Sequence, residues 1–195
     1  MSENDDHMDE EASEELDAVD DEIEPRTLQA PDGTSIGGWV LRAHAADEVR
    51  AVIKTYGQVF EFPVEPGALT DLLNAGQPCF LLVDDPALKP TQAGIWAVGE
   101  VVGPPFQAVD HDGTGDAEQG PMAEVELWPL KERITLAALR AHETLSSSTL
   151  FAPAEVANPL TLRRDEVRAL EEWEFELMEP TAEQIANLDE ALDET

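Results

Sequence analysis

The chain has 195 residues, 42% of them hydrophobic, and a formal net charge of −32. That length can bury one core, with room for an appendage, and no run approaches the ~18 apolar residues of a membrane-spanning helix. The charge opposes non-specific attraction to polyanions, whose affinity for proteins comes mainly from phosphate neutralisation, and a single cysteine, Cys79, excludes an intrachain disulfide and a thiolate metal cluster.

The opening MSENDDHMDEE is the opposite of a signal peptide, which carries a basic start and an apolar centre. A cytoplasmic location is therefore expected. Residues 1–24 hold 13 Asp and Glu and no Lys or Arg. Such a composition cannot bury enough apolar area to offset chain entropy, so 1–30 is expected to be a disordered acidic tail. Residues 31–178 are expected to form the folded domain, and 179–195 an acidic C-terminal helix or tail. Residues 165–195 hold 12 acidic residues against Arg168 alone, so the charge belongs largely to the two ends.

Ile36–Arg42, IGGWVLR, reads as a first strand carrying Trp39. Ala46–Thr55 reads as a helix, with Val49, Val52 and Ile53 at i, i+3 and i+4. Tyr56–Pro66 is aromatic and extended, because Pro63 and Pro66 forbid helix around them. Ala68–Asn74 fits a short helix ending near Gly76, a candidate C-cap glycine. Pro78–Asp84 and Gly94–Gly103 read as two central strands joined by proline-containing turn material. In the second, Gly94, Gly99 and Gly103 surround Trp96, and glycine inside a strand marks a bulge, a bend or a close approach.

Gln107–Gly120 reads as a polar loop. Met122–Leu130 alternates and predicts a half-buried strand. Thr135–His142 predicts a short helix, and Thr161 a cap for a helix over Leu162–Glu172. Trp173–Met178 switches to period two and fits a closing strand. Thr181 and Gln184 have capping-box spacing, ahead of an Ile185, Leu188 and Leu192 stripe suited to a short docked or partner-binding helix. Short strands interrupted by short helices give an α+β class with a small barrel-like mixed sheet.

Motifs for catalysis are missing: there is no G-x-S-x-G, Walker loop, dinucleotide fingerprint or H-E-x-x-H. A non-catalytic role without a cofactor is expected. Asp110, Asp112, Asp116 and Glu118 hint at calcium, but their spacing fails the pattern of a dedicated loop, and His44, His111 and His142 are too scattered to argue for a metal. Cys79, in an apolar run, reads as a small buried hydrophobe.

The order GGWVLR, helix, GQPCFLLVDD, GIWAVGEVVGPP, AEVELWPL and NPLTLRRDEVRAL resembles the EVE domain of the PUA-like superfamily, related in fold to YTH domains. The resemblance spans about Ile36 to Leu170. Gln77 stands where that family usually has aspartate, and Trp96 where a small or aliphatic residue is common. The resemblance implies a PUA-like small mixed β-barrel with short flanking helices, and a concave pocket in which aromatic side chains hold a modified base flipped from its strand.

On that reading Trp39 and Trp96 are the candidate ligand-binding rings and Asn158 an edge hydrogen-bonder, with Phe60, Phe62 and Phe106 as weaker choices. Lys131, Arg133 and Arg140, together with Arg163, Arg164 and Arg168, are candidate phosphate contacts. The structural alternatives are core tryptophans, a turn-forming Asn before Pro159, and arginines paired with Asp165, Glu166, Glu171 and Glu172 along their own helix.

The expected function is a binding module for a modified base in DNA or RNA. The competing one is an interaction protein, or nucleic-acid mimic, whose acidic ends dock on a basic partner. A third account assigns the charge to a salt-rich cytoplasm or a GC-rich genome, consistent with three lysines beside eight arginines.

Overall fold

The computed structural model describes residues 28–107, 120–153, 155–156 and 158–193. The acidic tail up to residue 27 and the polar loop over 108–119, with its candidate calcium carboxylates, lie outside the described residues.

The architecture is α+β. Seven strands form one mixed sheet: β1 (Gly38–Ala43), β2 (Val59–Pro63), β3 (Gln77–Val83), β4 (Gly94–Val101), β5 (Phe106–Gln107), β6 (Pro121–Thr135) and β7 (Leu160–Leu162). Their order is β2-β6-β4-β3-β1-β7, with β5 also on β6. Only the β1–β3 pair is parallel. The order leaves β2 and β7 as the two ends of the path, so the small barrel-like mixed sheet does not close.

Among the described residues four helices flank it: α1 (Ala46–Tyr56), α2 (Leu136–Ala141), α3 (Arg164–Glu171) and α4 (Ala182–Asp193). Both faces of the central strands are covered, so every residue of β1 is buried. Trp39, Leu41, Cys79, Leu81 and Trp96 belong to one core, which α1 completes with Ala46 and Val49. Val40, Phe80, Leu82 and Ile95 belong to the other, completed by Leu139 of α2 and Val167 and Leu170 of α3. Alternation along each strand sends successive side chains to opposite cores. Cys79 is wholly buried, and desolvation pushes its thiol up to about 12. It is a packing residue.

The glycines of β4 permit backbone contact. A Cβ on Gly99 would strike the carbonyl oxygen of Glu126, and one on Gly94, which has φ near 150°, would strike that of Ile134. Only glycine fits both close approach and that φ.

Several expected elements shift. The helix over Ala68–Asn74 shortens to one 3-10 turn, Thr70–Leu72. The strand from Met122 runs on to Thr135, whose hydroxyl then caps α2 by accepting from the Ala138 N–H. Thr161 lies within β7, and α3 begins after Arg163, whose N–H is taken by the Glu166 carboxylate at 2.7 Å.

Trp173–Met178 forms no strand. Its one ladder contact is the Leu130–Leu177 bridge, and Glu174 turns to φ 45°. Period two persists there only because Trp173 and Phe175 pack against the second core. At α4 the Thr181–Gln184 capping box forms as the spacing predicts. Ile185 and Leu192 of the apolar stripe are about half exposed, and Leu188 is partly buried. Polar groups join α4 to α1: Gln184 donates to the carbonyls of Ile53 and Lys54, and Asn187 to that of Thr55. These carbonyls lie in the last turn of α1, where backbone donors run out, and that of Ile53 also accepts the Gly57 N–H.

Candidate functional site

The end of β1, the start of α1 and the length of β2 surround a cavity of about 250 Å³. The entry to α1 is fixed from another loop. Ala45 provides no side-chain cap, and Asp85, beyond β3, accepts the Ala46 N–H at 2.9 Å. Hydrogen bonds from the Ala46 and Ala87 N–H groups hold the Asp85 carboxyl below its ordinary range. Asp47 and Glu48 in the first turn and Lys54 in the last suit the helix dipole. At the far end Gly57 closes α1 at φ 77°, its N–H bonded to the Ile53 carbonyl at 2.9 Å.

Val49 and Val52 of α1 face Val59 and Phe62 of β2 across the cavity, with Glu48, Glu61, His44 and Asn158 supplying polar groups. The His44 Nδ1 donates to the Asp84 carbonyl at 3.1 Å, which turns its other nitrogen away from that bond. A volume below the ~300–1,000 Å³ of drug-sized pockets suits a small, flat guest.

Asn158 extends the pairing of β1. Its Oδ1 accepts the Arg42 N–H at 2.9 Å, and its Nδ2 donates to the Arg42 carbonyl at 2.8 Å. The peptide bond to Pro159 is cis. One amide hydrogen and one lone pair of Asn158 remain for another partner. On the opposite side of the sheet the Arg42 guanidinium is buried, donating to the carbonyls of Leu150 and Pro153, and its burial lowers its pKa.

Glu61 is the electrostatic feature of the cavity wall. Partial burial, and then the carboxylate of Glu124, its register partner on β6, raise its pKa above the ordinary value. The folded state therefore holds this proton more tightly than the unfolded chain does. Between the ordinary carboxylate pKa and the raised one, stability falls as pH rises, and below that window the penalty is absent. Glu61→Gln is expected to raise the urea midpoint at pH 8 and to lose that advantage at about pH 4 and below. An advantage equal at both pH values would show that the charge is not its source.

The two candidate indoles differ. Trp39 is wholly buried, and its N–H donates to Gln77 Oε1 at 2.7 Å, so its ring has no face for a guest. Trp96 is 3% exposed and borders a second cavity, but Arg133 lies over its ring at 4.0 Å from the centroid and Arg50 approaches at 5.1 Å. Its N–H donates to the Gln92 carbonyl at 2.8 Å. The two rings share a core and do not flank one opening. Of the weaker aromatic choices Phe62 lines the β1–α1–β2 cavity, while Phe60 packs edge-on against Tyr56.

The first expected cationic cluster separates. Lys131 lies 3.8 Å from Glu176, Arg133 covers Trp96, and Arg140 lies over Phe151. In the second, Arg163 pairs with Asp165 and Glu166, as the structural alternative predicts, and Arg164 and Arg168 are exposed at α3. Sequence reading missed Glu61, His44 and Glu48 as cavity groups. The short run from His44 to Glu48, directly after a strand and opening a helix, was the available signal.

No family model matches the chain, and no curated protein matches it in sequence. Among solved structures, a hypothetical protein from Leishmania major superposes with a TM-score of 0.52 at 14% identity, covering 71% of this chain and 94% of that one. A protein from Pseudomonas syringae gives 0.50 at 11% identity, over 69% of this chain and 97% of that one. Human THYN1 protein, solved in complex with DNA containing 5-methylcytosine, gives 0.47 at 15% identity, over 73% and 99%. That superposition is too loose to carry a function across, and the first two show a shared fold and nothing finer.

Proposed function

We propose that this chain, a PUA-like α+β domain, is a non-catalytic module that takes a modified nucleobase, turned out of DNA or RNA, into the cavity between β1, α1 and β2. The observation that carries this reading is the make-up of the cavity: three valines and a phenylalanine around a carboxyl group held above its ordinary range. A flat heterocycle can lie against such walls, and the Glu61 carboxyl group offers oxygens that accept from an amine or ring N–H at its edge. The remaining hydrogen and lone pair of Asn158 suit the edge of the same guest.

Extruding a base costs a few kcal/mol, which its new site must recover. Neither indole offers a free face for stacking, so here the recovery comes from burial and edge hydrogen bonds. An added methyl group in an apolar pocket is worth about 1–3 kcal/mol, roughly tenfold or more in preference. The chain's negative charge weakens the backbone contribution and leaves the base to decide affinity.

The test is fluorescence anisotropy with short single strands carrying 5-methylcytosine or N6-methyladenine, each beside its unmodified twin, at low ionic strength. One modified strand is expected to bind about tenfold more tightly than its twin. Equal affinities throughout would overturn the reading.

A further inference from the structure

We propose that Arg50, Lys54 and Arg133, gathered around Trp96, form a binding site for a phosphate group. The site is separate from the base cavity and does not depend on it. Glu48, Val49 and Val52 of α1 line the base cavity, whereas Arg50, Ile53 and Lys54 line a second one of about 360 Å³ on another side of the helix.

A strand irregularity assembles it. Ala97 pairs with Pro129 and Ile95 with Ile134, so two steps of β4 stand against five of β6, and the excess falls opposite Trp96. Bulges re-aim side chains, and this one brings Arg133 across the indole, 4.0 Å from its centroid. Arg50 reaches the same ring from α1 at 5.1 Å. The bond from the Trp96 N–H to the Gln92 carbonyl holds the ring in place. Gln184, anchored on the Ile53 and Lys54 carbonyls, closes one side.

The charge balance singles this place out. The chain has 43 acidic residues against 11 basic ones, yet three cations line this one cavity. Asp47 pairs with Arg50 at 2.5 Å. Among the described residues neither Lys54 nor Arg133 forms an ion pair with a carboxylate. Burial and then the nearby Arg50 charge lower the Arg133 pKa, the mark of a cation that lacks a counterion. A tetrahedral oxyanion can accept from two planar guanidinium forks and an ammonium at once, and stacking pre-orients one fork at little entropic cost. Two sources supply that chemistry: a free phosphate ester and the backbone of a nucleic acid.

The experiment uses the full chain and follows the Arg133 Nε–H and Trp96 indole signals by NMR, titrated with inorganic phosphate or with an unmodified single-stranded oligonucleotide. At least one titrant is expected to shift both signals. Arg133→Gln and Lys54→Gln should each weaken that binding by about tenfold, while Lys89→Gln, in an exposed loop, should not. Response to phosphate alone assigns a free ester, and response to the oligonucleotide alone, or to both, assigns a backbone. Silence to both titrants overturns the proposal. So does unchanged affinity in the Lys54→Gln variant, whose exposed helical position leaves folding intact. Because the strands are unmodified, failure here leaves the base cavity untouched, and success here does not establish it.

Discussion

Trp39→Ala is expected to destabilise the fold by about 3–5 kcal/mol, the range for truncating a large buried aromatic. Trp39 is wholly buried in the centre of β1, paired with Cys79 on one side and Thr161 on the other. Its N–H ends on Gln77, and that one side chain also accepts the Asn74 N–H at 2.7 Å and donates to the Leu72 carbonyl at 3.2 Å. An aspartate at 77 would lack that donor, so glutamine there links the indole to the 3-10 turn. Losing the ring opens a cavity and takes one of the two donors from Gln77 Oε1, leaving it the Asn74 N–H. Urea unfolding measures the loss, with Trp39→Phe falling between the two. A Trp39→Ala protein that melted normally but lost base preference would return this ring to the ligand.

Val52→Phe is expected to abolish preference for a modified base, lowering its affinity by about a hundredfold, while the domain stays folded. Val52 is half-buried on α1 and points across the cavity toward β2. A phenyl ring there occupies the space a guest would need. Because an opening exists, the added volume enters empty space, and the stability cost should not exceed the ~1–3 kcal/mol of ordinary overpacking. Anisotropy with the modified and unmodified strands reads the first effect and thermal unfolding the second. Preference that survived the substitution would place the base elsewhere.

Local patterns carried most of the elements. The i, i+3, i+4 valines and isoleucine gave α1, period two gave β6, and Thr181 with Gln184 gave the start of α4. The same rule misled at Trp173–Met178, where side chains alternate in and out without a strand, because contact with the second core imposes the alternation on an irregular backbone. Apolar periodicity is silent about how α4 attaches, because Gln184 and Asn187 make the bonds to α1.

The two tryptophans mark the limit of such reading. An indole in a strand looks the same in sequence whether it meets a core or a cavity, and β1 and β4 are covered on both faces, so alternation does not say which side is open. Trp39 proved to be core. Trp96 proved to be a platform for Arg133, a residue 37 positions away, through a bulge that no spacing announces.

By itself the sequence determined the class, the helix α1, the central strands and where the acidic charge lies, because these follow from short-range periodicity, capping and composition. Only the tertiary structure decided which groups share a cavity. Arg42 meets Asn158, Glu61 faces Glu124 and Arg50 meets Arg133 through contacts between distant segments. Such contacts depend on sheet order and register, which local preferences do not encode.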